Sequence, residues 1–393
     1  IKIIDKYIGI PVCIILIIHN NILKLLGLRK NKISNRKNIL MVKFFGFGNL
    51  ILAMPAIKAI KEKYPDSKIT FLTINKNKNL YENFDSIDKV LYFDSGNFRS
   101  FFNGIIKLLI HIKKQKYDCI LDFEQFARIS AIISYLTGIR DRVGFDIKWQ
   151  FRGPLYPTRI KYSNKQHMVY TFYDVAMAVG CKKTEKLSLL KVPYSSEDEK
   201  IVSGILNKNQ VKNTDVLVGF HVGSGQNFVL RRWPEEKFAK VGDYLVEKHN
   251  AKIIFTGSKS ERTLIDNTIN NMKEKNKKNI ILANDITLKQ LALFIEKCSL
   301  FICTDTGPLH LASAMKTPSI SFYGPNTPYL YGPIGENNTF FYKNLKCSPC
   351  LSVYNAKSAN CRNPVCLKKV SVEEVINVIS KKYSKILKNK KIK

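Results

Sequence analysis

Thr304-Asp305-Thr306-Gly307-Pro308-Leu309-His310-Leu311-Ala312 follows an apolar β-type run, Leu300 to Cys303, and opens an Ala-rich helical pattern reaching Met315. A strand, a turn of small residues and a helix start gather free backbone N–H groups and the positive end of a helix dipole at one point. A phosphate suits that point, and Asp305 and His310 flank it with a carboxylate and an imidazole. The same residues also read as plain N-capping by Asp305 or Thr306 with Pro308 in the first turn. Taken alone, the segment leaves both readings open.

Two further junctions shift the balance. Val216 to His221 reads as a strand followed by Gly223-Ser224-Gly225, and Pro234 opens an amphipathic helix just after Arg231-Arg232-Trp233. Ile253-Ile254-Phe255 runs into Thr256-Gly257-Ser258, with Glu261 close behind. Small residues after successive strands are what an open α/β sheet needs when a ligand lies beyond its carboxyl edge. Three such junctions, with Arg231, Glu261 and Asp305 in step, say more than any single glycine pair.

These residues resemble the donor-binding half of the family 9 glycosyltransferases, the heptosyltransferase-like enzymes of lipopolysaccharide assembly. The N-terminal half is similar too: Ile39 to Phe45 reads as a first strand, and Gly46-Phe47-Gly48-Asn49-Leu50-Ile51 looks like the family's first glycine loop and helix. Tyr64-Pro65-Asp66-Ser67-Lys68-Ile69 matches its second strand entry, and the order of elements follows the family over roughly residues 38–380. The resemblance implies an α/β fold of two Rossmann-like domains facing a cleft, the GT-B architecture. Domains are expected at 37–195 on the acceptor side and 196–370 on the donor side, with 371–393 a C-terminal helix and basic tail. By the same resemblance the last helix crosses back to the first domain.

The residues support that division. Strands are expected at 39–45, 68–73, 89–93 and 119–123, and helices at 53–64, 104–114 and 127–136. Leu190 to Glu199, with Pro193 and paired serines, reads as the linker. Strands at 216–221, 252–256, 280–282, 300–303 and 319–323 follow. Alternation of strands with helices implies parallel sheets covered on both faces. Ser371 with Glu374 three positions on has the form of a capping box.

Lys and Arg number 64 against 31 Asp and Glu, a net charge of +33. The excess is scattered among Ile and Asn, as AT-rich coding alone would produce. No RNA-binding aromatic motif, paired-histidine zinc finger or basic zipper accompanies it, so nucleic acid is not the expected partner. An anionic membrane surface and an anionic sugar-lipid suit the charge better. Ile8 to Ile18 is almost wholly apolar, interrupted or ended at Ile10-Pro11 and His19-Asn20-Asn21, and Ile22 to Leu28 precedes Arg29-Lys30-Asn31-Lys32. The first run is too short for an ordinary spanning helix, and no small-residue cleavage site follows it. Residues 1–36 are expected to lie at the membrane interface with a basic flank; a helix packed on the first domain is the alternative.

Of the nine cysteines, Cys13, Cys119, Cys181, Cys298 and Cys303 sit in apolar surroundings as small core residues. Cys347, Cys350, Cys361 and Cys366 form a separate cluster whose spacing suits a tetrahedral structural zinc, with free thiols as the other reading.

The implied chemistry is transfer of a heptose or related sugar from a nucleotide-diphosphate donor to a lipid-linked saccharide, with inversion at the anomeric carbon. It would take place at the inner face of the cytoplasmic membrane and without a catalytic metal. A pyrophosphate leaving group then needs Arg side chains and helix N-termini to take up its charge. By resemblance Arg231 contacts phosphate or ribose, Glu261 the ribose hydroxyls, and Asp305 the donor sugar, with Thr306 and Gly307 facing the diphosphate and His310 in register. Gly223 and Ser224 would hold a phosphate oxygen. From the residues alone, Arg231 could instead pair with Glu235 or Glu236, Glu261 could be a first-turn carboxylate, His310 a buried hydrogen-bonded histidine, and Trp233 a packing residue.

One position departs from the family. Where its first glycine loop carries an Asp as general base, this chain has Asn49, and an amide cannot take a proton at neutral pH. Asp122 and Glu124, two apart at the end of the 119–123 strand, are the candidate replacements, with Glu124 favoured. Alternatively Asp122 caps a helix and Glu124 pairs with Arg128. Two rival functions stay open: a catalytically inactive sugar-nucleotide or glycolipid binder, and a nucleotide-sugar epimerase of similar architecture.

Overall fold

Both expected runs of strand and helix close into parallel sheets. The computed structural model describes residues 5, 7–28, 35–77, 80–93, 98–355 and 359–389. The chain divides into a first unit, residues 1–187 with 352–357, and a second, 188–351 with 358–393.

In the first unit the strands are β1 (Asn38–Val42), β2 (Lys68–Ile74), β3 (Lys89–Phe93), β4 (Cys119–Asp122), β5 (Asp141–Asp146) and β6 (Thr158–Lys161). Their spatial order is 3-2-1-4-5-6, all parallel. The central strands read Ile-Leu-Met-Val and Cys-Ile-Leu because helices cover both of their faces. The helices are α1 (Gly9–Leu25), α2 (Phe47–Lys63), α3 (Phe98–Lys114), α4 (Arg128–Leu136) and α5 (Met168–Ala178). Strand order reverses between β1 and β4, so the loops leaving those two strands lie side by side. That is the switch point at which open α/β sheets take ligands.

The second unit repeats the plan. Its strands are β7 (Leu217–His221), β8 (Lys252–Gly257), β9 (Ile280–Asn284), β10 (Leu300–Thr304), β11 (Ser319–Tyr323) and β12 (Asn338–Tyr342), in the parallel order 12-11-10-7-8-9. Its helices include α6 (Ser196–Lys208), α7 (Glu235–His249), α8 (Arg262–Asn270), α9 (Leu288–Lys297) and α10 (Gly307–Ala314). Here the switch point lies between β7 and β10. Trp233 is a packing residue: it is 1% exposed, stacks on Phe322 at 4.1 Å between ring centroids and donates from Nε1 to the Val370 carbonyl.

Several boundaries differ from the sequence expectation, each for a local reason. Helix α2 starts at Phe47 and runs through Pro55, whereas the apolar pattern suggested Ala53. β5 and β6 were not foreseen, since Asp141-Arg142-Val143-Gly144-Phe145-Asp146 is charged at both ends and β6 is a short edge strand. Pro11 does not break α1, because it stands in the first turn, where its missing N–H has no intrahelical role. His19 and Asn20 do not end α1 either: His19 hydrogen-bonds the Tyr135 hydroxyl at 2.8 Å and Asn20 is buried. The division falls between Leu187 and Ser188, and Ser195 already caps α6 in a capping box with Asp198, so much of the expected linker is helix.

Ser371 and Glu374 form the expected capping box. Of the helix they start, Val372, Val375, Ile379 and Tyr383 pack into the second unit's core. The short segment 352–357 is what joins the first unit, where Tyr354 meets Tyr162 edge to face.

Candidate functional site

At the second switch point the loop after β7 runs Val222-Gly223-Ser224-Gly225. Gly225 has φ +73°, and a Cβ on Gly223 would stand 2.0 Å from Glu261 Oε1, so glycine is required at both positions. Glu261 supports this loop from below. Its Oε1 accepts from the Gly225 N–H at 2.9 Å, and its Oε2 from the Ser258 N–H and hydroxyl at 3.0 and 2.8 Å. Burial pushes the Glu261 pKa up, but nearby His221 and the hydrogen bonds from Ser258 and Gly225 outweigh it and leave it below the ordinary glutamate value. Glu261 thus stands as the third residue of a capping box with Ser258, with one bond to Oε1 and two to Oε2. Ser224 Oγ likewise turns inward and donates to the Phe228 carbonyl at 2.7 Å.

The adjacent loop after β10 carries Asp305. Arg231 Nη1 reaches Asp305 Oδ2 at 3.4 Å and its guanidinium lies 4.1 Å from the Phe228 ring centroid. Arg231 thus pairs with Asp305, while its Nε is buried without a hydrogen-bond partner. Asn326 Nδ2 donates to Asp305 Oδ2 at 3.0 Å, and Thr304 Oγ1 donates to the Gly223 carbonyl at 2.7 Å, tying the two loops together. Thr306 is the N-cap of α10, yet its side chain makes no capping hydrogen bond. Simple side-chain capping therefore does not account for the Asp-Thr-Gly turn. Pro308 has no N–H and the Leu309 N–H donates to the Thr306 carbonyl at 3.2 Å, so the Gly307 N–H is the first-turn donor left for an anion. His310 is buried on the next turn of the same helix. The structure brings Gly223, Arg231, Asp305, Thr306, Gly307 and His310 to the carboxyl edge of one sheet.

Asn326 was missed by sequence reasoning. Its signal is a fourth junction of the same kind, Tyr323-Gly324-Pro325-Asn326 after β11. Behind the loops His221 Nδ1 contacts Thr256 Oγ1 at 3.0 Å; burial pushes its pKa below 6.5, with Glu261 pulling the other way.

The first switch point is built differently. Glu124, just past β4, is fully buried and accepts from Lys43 Nζ at 2.9 Å, Phe44 N at 3.1 Å and Phe45 N at 3.0 Å through Oε2, and from Phe126 N at 2.8 Å through Oε1. Burial raises its pKa, but Lys43 and these donors prevail and hold it below the ordinary value. A carboxylate so saturated and so far from solvent is a poor proton acceptor, which argues against Glu124 as the replacement base. Nor does it pair with Arg128, which binds Asp5 instead. Asp122 is equally buried, accepting from Arg152 at 3.1 Å, from the Tyr156 hydroxyl and from the Glu124 N–H at 2.8 Å. Neither carboxylate is placed to meet an acceptor.

Asn49 sits in the first turn of α2, 8% exposed, folded back over Gly46. A Cβ at Gly46, where φ is +80°, would lie 2.9 Å from Asn49 Nδ2. Lys43 and Asn77, which donates to the Phe44 carbonyl and to Thr73 Oγ1, complete the support of this loop. Neither was singled out from sequence, although a lysine ending an apolar strand was a readable sign.

Among the described residues no disulfide joins the cysteines. Cys13, Cys119, Cys298 and Cys303 are buried as expected, and Cys181 is half-buried. Cys366 is buried, Cys350 half-buried, and Cys347 and Cys361 exposed. Burial raises the Cys366 thiol, and the other three thiols of the cluster raise it further, so the four share one electrostatic neighbourhood. Among the described residues no three His, Cys, Asp or Glu side chains are arranged to hold a metal ion.

Two Rossmann-like parallel sheets, each in its own unit, one with an Arg–Asp pair beside a helix start at its switch point, match the GT-B architecture of glycosyltransferases. Residues 105–359 match the model of glycosyltransferase family 9 (heptosyltransferase), and the chain belongs to that family. Lipooligosaccharide heptosyltransferase 2 of Campylobacter jejuni is 25% identical over 331 residues, 84% of this chain and 93% of that protein. A family 9 glycosyl transferase from Veillonella parvula shares the fold with a TM-score of 0.74 at 22% identity, over 91% of this chain and 99% of that one. Escherichia coli ADP-heptose lipopolysaccharide heptosyltransferase II follows at 0.70 and 15%, over 89% and 98%.

Proposed function

We propose that this glycosyltransferase moves heptose from ADP-heptose to a lipopolysaccharide-core acceptor, with inversion at the anomeric carbon, at the cytoplasmic face of the membrane. The observation that carries the reading is the second unit's switch point. There Arg231 and the uncapped start of α10 offer positive charge for a departing diphosphate, while Asp305, oriented by Asn326, accepts from sugar hydroxyls. The names of the Campylobacter and E. coli relatives supply the sugar, nucleotide and acceptor class. Glu261 and Ser224 shape the loop and leave direct contact with the donor to its backbone.

A second reading, an inactive donor-binding homologue, is favoured by one observation. Asn49 stands where the family has its base, and Asp122 and Glu124 are sealed. Incubating the protein with ADP-heptose and a heptose-deficient lipopolysaccharide, with product followed by mass spectrometry, separates the two. The transferase reading expects product from the wild type. It also expects Asn49→Asp to raise turnover, by about 10²-fold at the lower end of general-base effects. No product from either protein, with donor still bound, supports the binder instead.

The Cys347, Cys350, Cys361 and Cys366 cluster is proposed as a structural zinc site, supported by the spacing of the four cysteines and by Cys350 and Cys366, whose thiols are pushed up by burial and by the neighbouring thiols of the same loop region. Four thiolates suit tetrahedral Zn²⁺. Protein purified without chelator should then carry close to one equivalent of zinc, lost on Cys350→Ser; metal-free protein of equal stability would refute the site.

A further inference from the structure

Helix α1 is apolar on both of its faces, yet only one of them is covered. Gly9, Cys13 and Asn20 are buried, and Val12, Leu16 and Ile17 pack on Ala131, Tyr135 and Leu155. The opposite face carries Ile8, Pro11, Ile15, Ile18, Ile22 and Leu25, all exposed to solvent. At 1.5 Å per residue this stripe is about 25 Å long. This exposed stripe asks for an apolar medium on its side of the helix, with the exposed His19, Asn21 and Lys24 as its polar margin. Among the described residues no helix is long and apolar enough to cross a membrane. What fits is a helix lying flat in an interface.

A distant segment meets the start of this helix. Arg128 binds Asp5 through Nη1 at 3.0 Å, and its Nε and Nη2 donate to the carbonyls of Gln150 at 2.9 Å and Trp149 at 3.4 Å. In the turn so anchored, Trp149 and Phe151 both take left-handed backbone, φ +67° and +58°. Bulky side chains rarely accept that conformation, and where they do it is the surrounding structure that imposes it. The imposing residues alternate with them: Gln150 and Arg152 are buried, and Arg152 pairs with the buried Asp122. The result is that Trp149, 68% exposed, and Phe151 are turned outward, with Lys148 over the Trp149 ring at 5.2 Å and Tyr7 also exposed nearby in sequence to Ile8.

We infer that the outer face of α1 and the Trp149–Phe151 turn form one lipid-inserting surface of the first unit, whose partner is an anionic phospholipid monolayer. The choice of a lipid rests on three features: an aliphatic stripe with aromatic residues at one end, cations at its margin (Lys148 and Lys24), and a net charge of +33 on the chain. The inference deepens the membrane-face part of the proposed function and rests on it. The turn adds a second, sequence-distant contact, which fixes the helix against rolling.

The chain has two tryptophans, and Trp233 is buried, so Trp149 is a built-in reporter. On addition of phosphatidylethanolamine–phosphatidylglycerol vesicles the emission should shift to the blue and be quenched by brominated acyl chains, and Trp149→Phe should abolish both effects. Trp149→Gly with Phe151→Gly, which relieves the left-handed strain and leaves the fold intact, should weaken vesicle binding by about tenfold or more. If the protein co-sediments with vesicles but its emission stays unmoved, the turn does not insert and this inference fails while the membrane reading stands. If it does not co-sediment at all, both fail. Self-association in lipid-free buffer that the double variant abolishes would assign the surface to a second copy and overturn the lipid assignment.

Discussion

The two sheets share one topology, and their switch points have been put to opposite uses. Between β1 and β4 the crevice is filled by the chain's own charges. Lys43 and Glu124 are both fully buried, and every donor near the carboxylate is spent on it. Between β7 and β10 the equivalent pair, Arg231 and Asp305, keeps 13% and 6% of its side-chain surface open. Glycines at 223 and 225 keep bulk out of the way there, and the adjacent helix start goes uncapped. The lesson is that a charged pair at a strand end is not by itself a site. Saturation decides: a carboxylate with four donors is architecture, and one with capacity left beside the uncapped Gly307 N–H is a place for a ligand.

The largest expected effect falls on the closed pair. Glu124→Gln leaves the Lys43 ammonium buried without its counter-charge, and breaking a buried pair in this way costs about 3–5 kcal/mol. Urea unfolding should show a loss of that size in the first unit, with any fall in turnover following the fraction unfolded. A variant that stays fully stable but loses about 10²–10⁴-fold in turnover would return Glu124 to the role of general base.

Next comes the open pair. Arg231→Ala and Asp305→Ala should each lower transfer by about 10²–10³-fold, the usual effect of deleting one preorganised charge stabiliser. The pair is largely buried, so each variant should also lose some stability, and the fall in transfer should exceed what the unfolded fraction explains. Folded variants with unaltered donor kinetics would remove the site from this loop.

The smallest effect is a pH dependence. Burial holds the His221 pKa below 6.5, so between its folded and unfolded values the unfolded chain binds a proton that the native state refuses. The stability contributed is complete above pH 6.5 and is lost as pH falls towards the folded value. Glu261, also depressed, adds a further loss only at lower pH, beneath the ordinary carboxylate range of about 4.5. His221→Asn should flatten the stability profile between pH 7 and 5; an unchanged slope would place the titrating group elsewhere.

Much of this was legible in the sequence for a physical reason. Strands covered on both faces leave continuous apolar runs, and the glycine and Asp-Thr-Gly junctions after them are dictated by backbone conformation and close approach. Gly223 could be found because nothing larger fits beside Glu261, and Gly225 because its backbone is left-handed. The roles of Glu124 and Glu261 were harder to read, because a carboxylate after a strand looks the same whether it faces a ligand or the underside of a loop. Three-dimensional counting of donors separates the cases, and sequence spacing cannot. The strand Asp141–Asp146 escaped notice because its first charges are buried, Asp141 accepting from Arg36 at 3.1 Å, which the sequence alone does not show. Trp149 and Phe151 gave no signal at all, since left-handed backbone at an aromatic residue is imposed by tertiary anchors.

The most direct test is a crystal structure of the protein with ADP. The diphosphate should lie against the Gly307 N–H at the start of α10, within hydrogen-bond distance of the Arg231 guanidinium, with no nucleotide at the Gly46–Asn49 loop. A diphosphate bound at that first loop, or one that ignores Arg231 and the Asp305–Gly307 turn, would contradict the division of labour between the two switch points.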